Sequence, residues 1–463
     1  MEQFWRSRYT LAQDLDSGDG GILLNTFSGA VDYVSADIVE AVRGSRSRLL
    51  DPNSESDAAL ITHGYYVRSL EHEDAAARYI GSRAKAKAVQ SDVAKYMFGL
   101  TLRCNLACSY CWQVQEFKSA RQKTSIMSEQ LVDAAFQYIA ADMRSATKTR
   151  GVVSLFGGEP LIDRPQFHQL VDHIGSRALE QGLGVHFTTN GRSLHKFREE
   201  LERYKPSIQV TVDGAQVRDG KLTLMRANQP LPGLLDLMLD IAQRGLTSGA
   251  FLRFLAEERT IPEFVALSDE INARGQMKGL PFSLGVAPLQ NKSAEASDYV
   301  AKHRILSSLL TRLADRDYTH HIEFVDWRSL NLLQNLRQGS QTLPLPAFYH
   351  CEANTDLTCF DQDGYVYACY EAMGDHDMSV GTYWPDVRID TKHLSQYRDR
   401  SAFTMEQCTE CPVSPICGGG CEVRGHKHNG AYNLPYCDDL HEETAYLMKN
   451  WGTIVNLMTG DAR

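Results

Sequence analysis

Short apolar runs alternate with amphipathic stretches through the middle of the chain, from Tyr96 onward. Apolar runs bounded by turn residues predict buried strands, and apolar residues that recur every three or four positions predict helices. The predicted strands are Met97 to Leu102, Val152 to Phe156, Val185 to Thr189, Ile208 to Val212, Ala250 to Leu255 and Phe282 to Val286. Strands that alternate with helices in this way are typical of a parallel sheet.

Helices are predicted between these strands, near Ser128 to Met143, Gln166 to Gln181, Leu234 to Arg244 and Pro262 to Arg274. Six strand and helix units are too few to close an eight-stranded barrel. The sequence therefore predicts an α/β fold, an open partial (β/α)6 barrel. Its functional site is expected in the loops at the C-terminal strand ends, where such barrels place their chemistry.

The flanking segments are predicted to form separate units. We expect a small mixed α/β domain over residues 1–95, the barrel over 96–295, a helical bridge over 296–342, a loop-rich cysteine domain over 343–440 and a C-terminal helix over 441–463. In the first unit, two β-like runs between Ile22 and Val34 predict a hairpin around Ser28-Gly29. A helix is predicted from Ala75 to Lys95, because that stretch is rich in Ala, Lys and Arg.

Composition and charge exclude several classes of function. Apolar residues make up 43% of the chain and charged residues 23%, as in ordinary globular proteins. The net charge of -10 argues against the broad basic surface that nucleic acid requires. Neither an apolar run behind a basic N-terminus nor an apolar stretch of about 18 residues is present. We therefore expect a cytoplasmic protein that binds neither nucleic acid nor membrane.

The 11 cysteines fall into two groups, since none precedes residue 104 and none lies between residues 111 and 351. Disulfides do not persist in a reducing compartment, which makes metal ligation the leading explanation. Cys104, Cys108 and Cys111 follow the first predicted strand with the spacing C-x3-C-x2-C. Three thiolates can hold three irons of a [4Fe–4S] cluster and leave the fourth open. A structural zinc site is the alternative, but it needs a fourth ligand close by.

With Tyr110 before the third cysteine, this motif resembles that of the radical S-adenosylmethionine (SAM) superfamily. The resemblance implies that the amino and carboxylate groups of SAM chelate the open iron. An electron from the cluster would then cleave the sulfonium bond and yield a 5'-deoxyadenosyl radical that abstracts hydrogen from an unactivated carbon. So reactive a species requires a pocket that excludes water.

Motifs after the later strands fit the same family. Gly157-Gly158-Glu159 follows the second strand, where its backbone would approach the SAM ammonium and Glu159 would accept from it or hold the loop. Ordinary turn chemistry is the alternative for the later polar motifs. Arg253 is expected to neutralise the SAM carboxylate or to serve as a structural ion-pair partner. The expected cofactor contacts are Tyr110, Gly157, Gly158, Glu159, Thr189, Asn190, Thr211, Asp213 and Arg253.

The second group has the spacing C-x12-G-x4-C followed by C-x2-C-x5-C-x3-C-x15-C, with one additional cysteine. It resembles the SPASM domain, an extension of radical SAM enzymes that holds auxiliary clusters. The resemblance implies two auxiliary [4Fe–4S] clusters, bound by Cys351, Cys359, Cys369 and Cys421 and by Cys408, Cys411, Cys417 and Cys437. Every cysteine would then belong to one of three clusters. A pair of zinc ribbons is the alternative.

The resemblance implies a ribosomally made precursor peptide as substrate and an electron donor such as flavodoxin or ferredoxin. Fully ligated auxiliary clusters favour electron transfer, which an intramolecular thioether or carbon–carbon crosslink, a net oxidation, requires. Oxidation of a protein cysteine or serine, as in anaerobic sulfatase maturases, and peptide epimerisation remain alternatives. A zinc-binding interaction protein is the non-enzymatic alternative.

One departure bears on the substrate. The sulfatase maturases place an aspartate directly after the third cysteine of the auxiliary set, whereas Tyr370 and Glu371 follow Cys369 here. Either residue is a candidate proton acceptor, and simple packing is the alternative. The N-terminal hairpin is a candidate site for a leader peptide, which would add a strand to it. A segment that only caps the barrel is the alternative there.

Overall fold

The computed structural model describes residues 1–16, 18, 20–90, 92–111, 113, 125–145, 148–218, 220–275, 279–290, 301–314, 316, 318, 322–333, 346 and 348–459. Strands in the first half are β1 Glu2–Arg6, β2 Thr10–Asp14, β3 Gly21–Asn25, β4 Val31–Val34, β5 Ser47–Leu50, β6 Tyr66–Val67, β7 Val93–Gly99, β8 Arg150–Phe156, β9 Gly184–Thr189 and β10 Ser207–Val212. The later strands are β11 Gly214–Arg218, β12 Lys221–Arg226, β13 Gln229–Leu231, β14 Gly249–Ala256, β15 Phe282–Pro288, β16 Ile322–Phe324, β17 Leu357–Phe360, β18 Tyr365–Tyr367, β19 Gly381–Thr382 and β20 Arg388–Ile389.

Helices cover the sheets and connect them. The α-helices are α1 Ala36–Gly44, α2 Glu55–Thr62, α3 Leu70–Val89, α4 Glu129–Ser145, α5 Pro165–Glu180, α6 Arg198–Tyr204, α7 Leu234–Gln243, α8 Ile261–Ala273, α9 Lys302–Leu313, α10 Thr391–Arg398, α11 Glu406–Thr409, α12 Ser414–Cys417, α13 Glu422–Asn429, α14 Leu440–Lys449 and α15 Trp451–Thr459. Short 3-10 helices are Leu194–Lys196, Glu258–Thr260, Ser329–Leu333, Glu352–Asn354, Tyr370–Ala372, His376–Met378 and Ala402–Thr404. None of the helices in the described ranges is both long enough and apolar enough to cross a membrane.

One 11-stranded sheet organises the molecule, in the order β16-β15-β14-β10-β9-β8-β7-β17-β18-β19-β20. The six strands from β15 to β7 pair in parallel, so that their carboxyl ends meet at one edge. Apolar side chains alternate along them, as in β14, where every second residue from Ala250 to Ala256 is buried. All six predicted strands are present, and the predicted α/β fold class is confirmed.

Two boundaries near the first parallel strand differ from prediction. The strand covers Val93–Gly99, not Met97 to Leu102, and the helix before it ends at Val89, not at Lys95. Alternating burial from Val93 onward places Ala94, Tyr96 and Phe98 in the core, which requires a strand there. Beyond Gly99 the chain leaves the ladder, because Thr101 pairs instead with Ile126.

The cysteine-rich region continues the barrel sheet. Its first strand, β17, lies parallel to β7, with Cys359 opposite Met97. Phe360 of β17 is fully buried among aromatic rings of both regions, with centroids 5.4 Å from Phe98 and Tyr138 and 5.1 Å from Tyr383. One hydrophobic core therefore spans the barrel and the cysteine-rich segment.

The N-terminal region consists of two three-stranded sheets, β5-β1-β6 and β2-β3-β4. The second contains the predicted hairpin, in which Ile22 faces Tyr33 and Leu24 faces Val31. The region also contacts the C-terminal part of the chain, where the Thr26 hydroxyl donates to the carbonyl of Pro412 at 2.5 Å.

The proposed division of the chain into units remains a prediction. Of the helical bridge, the structure contains α9, and the predicted boundaries near residues 296 and 342 lie outside the described residues. The predicted C-terminal helix corresponds to two helices, α14 and α15.

Replacement of Phe360 by alanine should destabilise the joint between barrel and cysteine-rich region by about 3–5 kcal/mol, since it removes a buried aromatic ring. The anaerobic thermal unfolding midpoint, followed by circular dichroism, should fall clearly. Tyr79→Ala is the matched control, because Tyr79 is 65% exposed on α3 and its loss should cost no more than about 0.5 kcal/mol. Equal midpoints for the two variants would contradict the shared core.

Candidate active site

Cys104, Cys108 and Cys111 lie together on the loop that follows β7. The backbone N–H of Cys111 donates to the carbonyl of Cys108 at 3.1 Å, and that of Leu106 donates to the Cys104 sulfur at 3.4 Å. Although Cys104 is exposed as a residue, desolvation of its sulfur raises the pKa to about 11, with contributions from Glu159, Cys108 and Cys111. Cys104 and Cys111 also line a cavity of about 400 Å3.

Two glycines allow the loop after β8 to run against the cysteine loop. Gly157 has φ +131°, and a Cβ there would lie 2.3 Å from the carbonyl oxygen of Thr101. A Cβ on Gly158 would lie 2.1 Å from the carbonyl oxygen of Arg103. The missing side chains therefore serve close backbone approach between the two loops. This contact is with the protein's own backbone, whereas the sequence suggested contact with the cofactor ammonium.

Glu159 fastens the loops after β8 and β9 to each other. Its Oε1 accepts from the Leu161 N–H at 2.9 Å and from the Thr189 hydroxyl at 2.6 Å, and its Oε2 accepts from the Asn190 N–H at 2.7 Å. The side chain is 1% exposed, and this burial raises the pKa of the carboxyl against the opposing effect of the hydrogen bonds. Of the two roles expected for Glu159, the structure shows the loop-holding one.

Asn190 carries this connection to the cysteines. Its amide donates to the Asn105 side chain at 2.7 Å and lies 3.8 Å from the Cys104 sulfur. Thr189, the residue before Asn190, is also buried. Thr211, in contrast, lies in β10 opposite Arg253 of β14 and is not one of the partners given above for Glu159 and Asn190.

Tyr110, Asp213 and Arg226 form a second connection above the cysteine loop. The Tyr110 hydroxyl donates to Asp213 Oδ2 at 2.5 Å, and the Arg226 guanidinium lies over the Tyr110 ring at 5.3 Å. Arg226 also reaches the Cys108 sulfur, while its Nε and Nη1 are shielded from solvent and have no hydrogen-bond partner in the part of the chain that the structure describes. A cation with unused donors beside a cluster loop is suited to an anionic ligand group.

Arg226 is a site residue that sequence reasoning missed. It ends β12, in the three-stranded sheet that directly follows Asp213. In the sequence, only its position shortly after the strand-end motif Asp213-Gly214 pointed to a role in the site. Arg253, which was expected to neutralise the SAM carboxylate or to form a structural ion pair, bonds to Asp326.

Three cysteines of the first predicted auxiliary set share one cavity of about 510 Å3. Cys351, Cys369 and Cys421 all line it. Burial raises the pKa of each thiol, that of Cys421 to about 12, and the charges of neighbouring cysteines and Glu422 add to the shift for Cys351 and Cys369. Cys359 is buried in β17 and is not among the described residues that line this cavity.

The four cysteines of the second predicted set lie close together. Burial raises the pKa of Cys408 to about 12, and Cys417, Cys411 and Cys437 add to the shift through their charges. The N–H of Cys411 donates to the carbonyl of Cys408 at 3.2 Å, and the Cys411 sulfur lies 3.3 Å from Nε2 of His441.

The donor chemistry of these sets fits iron–sulfur clusters. All 11 cysteines are free of disulfides. Thiols that lie close together repel one another as thiolates, which raises their pKa values. A bound cation offsets this repulsion and favours the deprotonated thiolates. The unused donors of Arg226 add a place for an anionic cofactor group beside the first set.

Tyr370 and Glu371 lie where the two regions meet. Both line the cavity that contains Cys351, Cys369 and Cys421. The Tyr370 ring packs edge to face on Phe156, with centroids 5.2 Å apart. Phe156 is the last residue of β8, directly before Gly157. The candidate proton acceptors thus lie at the carboxyl end of a barrel strand.

Comparison with known proteins identifies the barrel. Residues 99–267 match the model of the Radical SAM superfamily. The chain contains a radical SAM domain, and it is a radical SAM enzyme. A radical SAM domain implies a [4Fe–4S] cluster and SAM as its cofactors. The non-enzymatic alternative, a zinc-binding interaction protein, is thereby set aside.

Similar proteins are found at low sequence identity. The pre-heme d1 synthase of Dinoroseobacter shibae is 23% identical over 373 residues, which cover 74% of this chain and 84% of that protein. The structure of anSMEcpe with AdoMet and a Kp18Cys peptide is 16% identical, covers 80% of this chain and 99% of its own, and superposes with a TM-score of 0.55. Streptococcus suis SuiB is 14% identical, with coverages of 94% and 99% and a TM-score of 0.49.

We expect Arg226→Met to weaken SAM binding by about tenfold or more, because a charge-assisted hydrogen bond contributes about 1.5–3 kcal/mol. Equilibrium dialysis with anaerobically reconstituted radical SAM enzyme measures the Kd. Arg253→Met is the comparison variant. Arg253 also has an Nε without a hydrogen-bond partner among the described residues, but its Nη2 pairs with Asp326, so the Kd should change by less than about twofold. Weaker binding in the comparison variant alone would assign the SAM carboxylate to Arg253.

Proposed function

We propose that this radical SAM enzyme modifies a ribosomally synthesised precursor peptide and forms an intramolecular thioether or carbon–carbon crosslink. Cys104, Cys108 and Cys111 would hold the cluster that binds SAM. The second cysteine group would hold two auxiliary clusters, which makes three in all. Together the first cluster and SAM supply a 5'-deoxyadenosyl radical that abstracts hydrogen.

The crosslink sets a clear demand on the residues around the substrate. It removes two hydrogens from the peptide, and one of them leaves in 5'-deoxyadenosine. The other leaves as a proton and an electron, so a base and an electron acceptor must both stand near the reacting carbon. Glu371 and Tyr370 line the cavity of the first auxiliary set and are the candidate bases.

The contact between Tyr370 and Phe156 is the observation that carries the proposal. It brings the residues after Cys369 to the end of the strand that leads into Gly157-Gly158-Glu159. A substrate held there would lie between the SAM site and the auxiliary cysteines. Hydrogen abstraction and removal of the second electron would then take place on one bound molecule, as proximity requires.

The N-terminal region offers a candidate binding site for a peptide. Strand β4 stands at the edge of its sheet, and Tyr33 on it is 63% exposed. An edge strand offers unpaired backbone groups to which a leader peptide can add as a further strand. The anSMEcpe structure, which has a similar fold, contains a bound peptide. An electron donor such as flavodoxin or ferredoxin and a cytoplasmic location belong to the same proposal.

Two peptide or protein reactions remain as alternatives, oxidation of a protein cysteine or serine and epimerisation. The similarity to pre-heme d1 synthase over 74% of the chain favours a further candidate, in which the substrate is a heme d1 precursor. Mass spectrometry after co-expression with the peptide encoded beside the enzyme separates epimerisation from the oxidative reactions. A loss of two hydrogens per event indicates a crosslink or another dehydrogenation, such as oxidation of a serine. An unchanged mass in ordinary water, with deuterium uptake from heavy water, indicates epimerisation.

Replacement of Cys104, Cys108 and Cys111 by alanine should abolish release of 5'-deoxyadenosine from SAM. Liquid chromatography of anaerobic reactions with dithionite measures the product. The matched control is Cys359→Ala, which should keep the release of 5'-deoxyadenosine above about half, because Cys359 lies in β17 away from the cysteine loop. Turnover that survives the triple replacement would contradict the enzymatic assignment of these cysteines.

Glu371→Gln should lower the yield of modified peptide by about tenfold or more while 5'-deoxyadenosine is still released, since only the proton acceptor is lost. Tyr370→Phe retains the ring on Phe156 and tests the other candidate. The ratio of modified peptide to 5'-deoxyadenosine is the measured quantity. If both variants keep the parent ratio, neither residue is the base.

A further inference from the structure

The cavity of the first auxiliary set contains a buried carboxyl group that forms no ion pair in the described part of the chain. Glu422 is 0% exposed at the first position of α13, next to Cys421. Its Oε1 lies 3.5 Å from the Cys351 sulfur, and its Oε2 has no hydrogen-bond partner among the described residues. The charge of Arg400 acts on it without forming an ion pair. A buried carboxylate in such surroundings is costly unless a cation compensates it.

The cysteine expected to complete this set does not share the cavity. Leu357 of β17 is among the lining residues, whereas Cys359, two residues further along, is not. Cys359 is fully buried in β17, whose neighbours in the sheet are β7 and β18. The lining therefore offers three thiols, and a fourth protein ligand would be another residue of the lining.

Two other ligand types that line the cavity are already engaged. Asp438 pairs with the Lys302 ammonium at 2.7 Å. His350 Nε2 accepts from Arg328 Nη2 at 3.0 Å, and His350 Nδ1 donates to the carbonyl oxygen of Cys417 at 3.2 Å. Both groups are held in place by protein partners, which leaves them poorly placed to bind a metal.

Asp326 and Glu352 also line the cavity and pair with Arg253 and Lys95, so Glu371 and Glu422 are the carboxylates that remain in the described lining. Glu371 lies near the positive charge of Arg424, and Glu422 lies near that of Arg400. Glu422 contacts the sulfur of Cys351 directly, and its charge acts on both Cys351 and Cys369. Carboxylate oxygen is an established ligand for iron in proteins. The donor set of three thiols and one carboxylate fits a cluster with all its irons bound by protein.

We infer that Glu422, and not Cys359, is the fourth protein ligand of the auxiliary cluster held by Cys351, Cys369 and Cys421. This inference rests on the proposed function, which places a cluster in that cavity. One iron of the first auxiliary cluster would then have a carboxylate oxygen as its protein ligand, whereas the other three would have cysteine sulfur. Three torsions in the glutamate side chain let its carboxylate turn from the sulfur of Cys351 to a metal.

The test uses the full-length chain with Cys104, Cys108 and Cys111 replaced by alanine, so that only auxiliary clusters remain. After anaerobic reconstitution each variant is oxidised with ferricyanide, and electron paramagnetic resonance records any [3Fe–4S]+ cluster. Without its oxygen ligand, the fourth iron should be lost on oxidation. Glu422→Gln should therefore give about one spin per chain, while the parent and Cys359→Ser give almost none.

Glu422→Cys supplies a thiolate at the same position and should restore resistance to oxidation. If Glu422→Gln fails to hold a cluster at all, this variant decides, because an oxidation-resistant cluster supports the assignment and its absence overturns it. A [3Fe–4S]+ signal from Cys359→Ser, or none from Glu422→Gln, also overturns it. Lack of iron–sulfur absorption in the parent would contradict the auxiliary clusters of the proposed function themselves.

Discussion

The carboxylate of Glu159 is the constraint on which the geometry of the active site depends. A buried carboxylate has to be satisfied by donors, and it receives them from its own loop and from the loop after β9. Its backbone N–H meanwhile donates to the carbonyl of Arg103 at 2.8 Å, in the cysteine loop. Three loops from adjacent parallel strands are thus tied at one residue. The position of Cys104 is set by a side chain that contributes no sulfur.

In the cysteine-rich region, a buried guanidinium likewise ties separate segments of backbone together. Arg400 donates to the carbonyls of Gly419 at 2.6 Å, Gly420 at 2.7 Å and Tyr432 at 2.7 Å. The two glycines have positive φ, which turns their carbonyls toward one centre. This centre fixes the turn between Cys417 and Cys421, cysteines predicted to serve different clusters. A segment with little regular structure is therefore ordered in part by protein alone, before any contribution from metal.

Local pattern was enough to predict the six parallel strands and the motifs at their ends, because both depend on residues close in sequence. The pairing of β17 with β7 depends on residues far apart in the chain, and a four-residue strand carries little signal of its own. Arg226 was missed for a similar reason, since only the folded hairpin brings it over Tyr110. Cysteine spacing suggests a set of ligands, but it cannot tell which of these cysteines line one cavity.

The two cysteine regions are not independent, because one segment contacts both of them. Residues 369–373 carry an auxiliary cysteine at one end and cover the first two barrel strands at the other. Tyr370 packs on Phe156, and a Cβ on Gly99 would lie 3.0 Å from the Met373 sulfur. Any change that releases Cys369 would therefore also loosen the packing against the ends of β7 and β8, which lead into the cysteine loop and Gly157. Loss of 5'-deoxyadenosine release in an auxiliary-cysteine variant can accordingly arise from lost packing, without a role for that cluster in SAM cleavage.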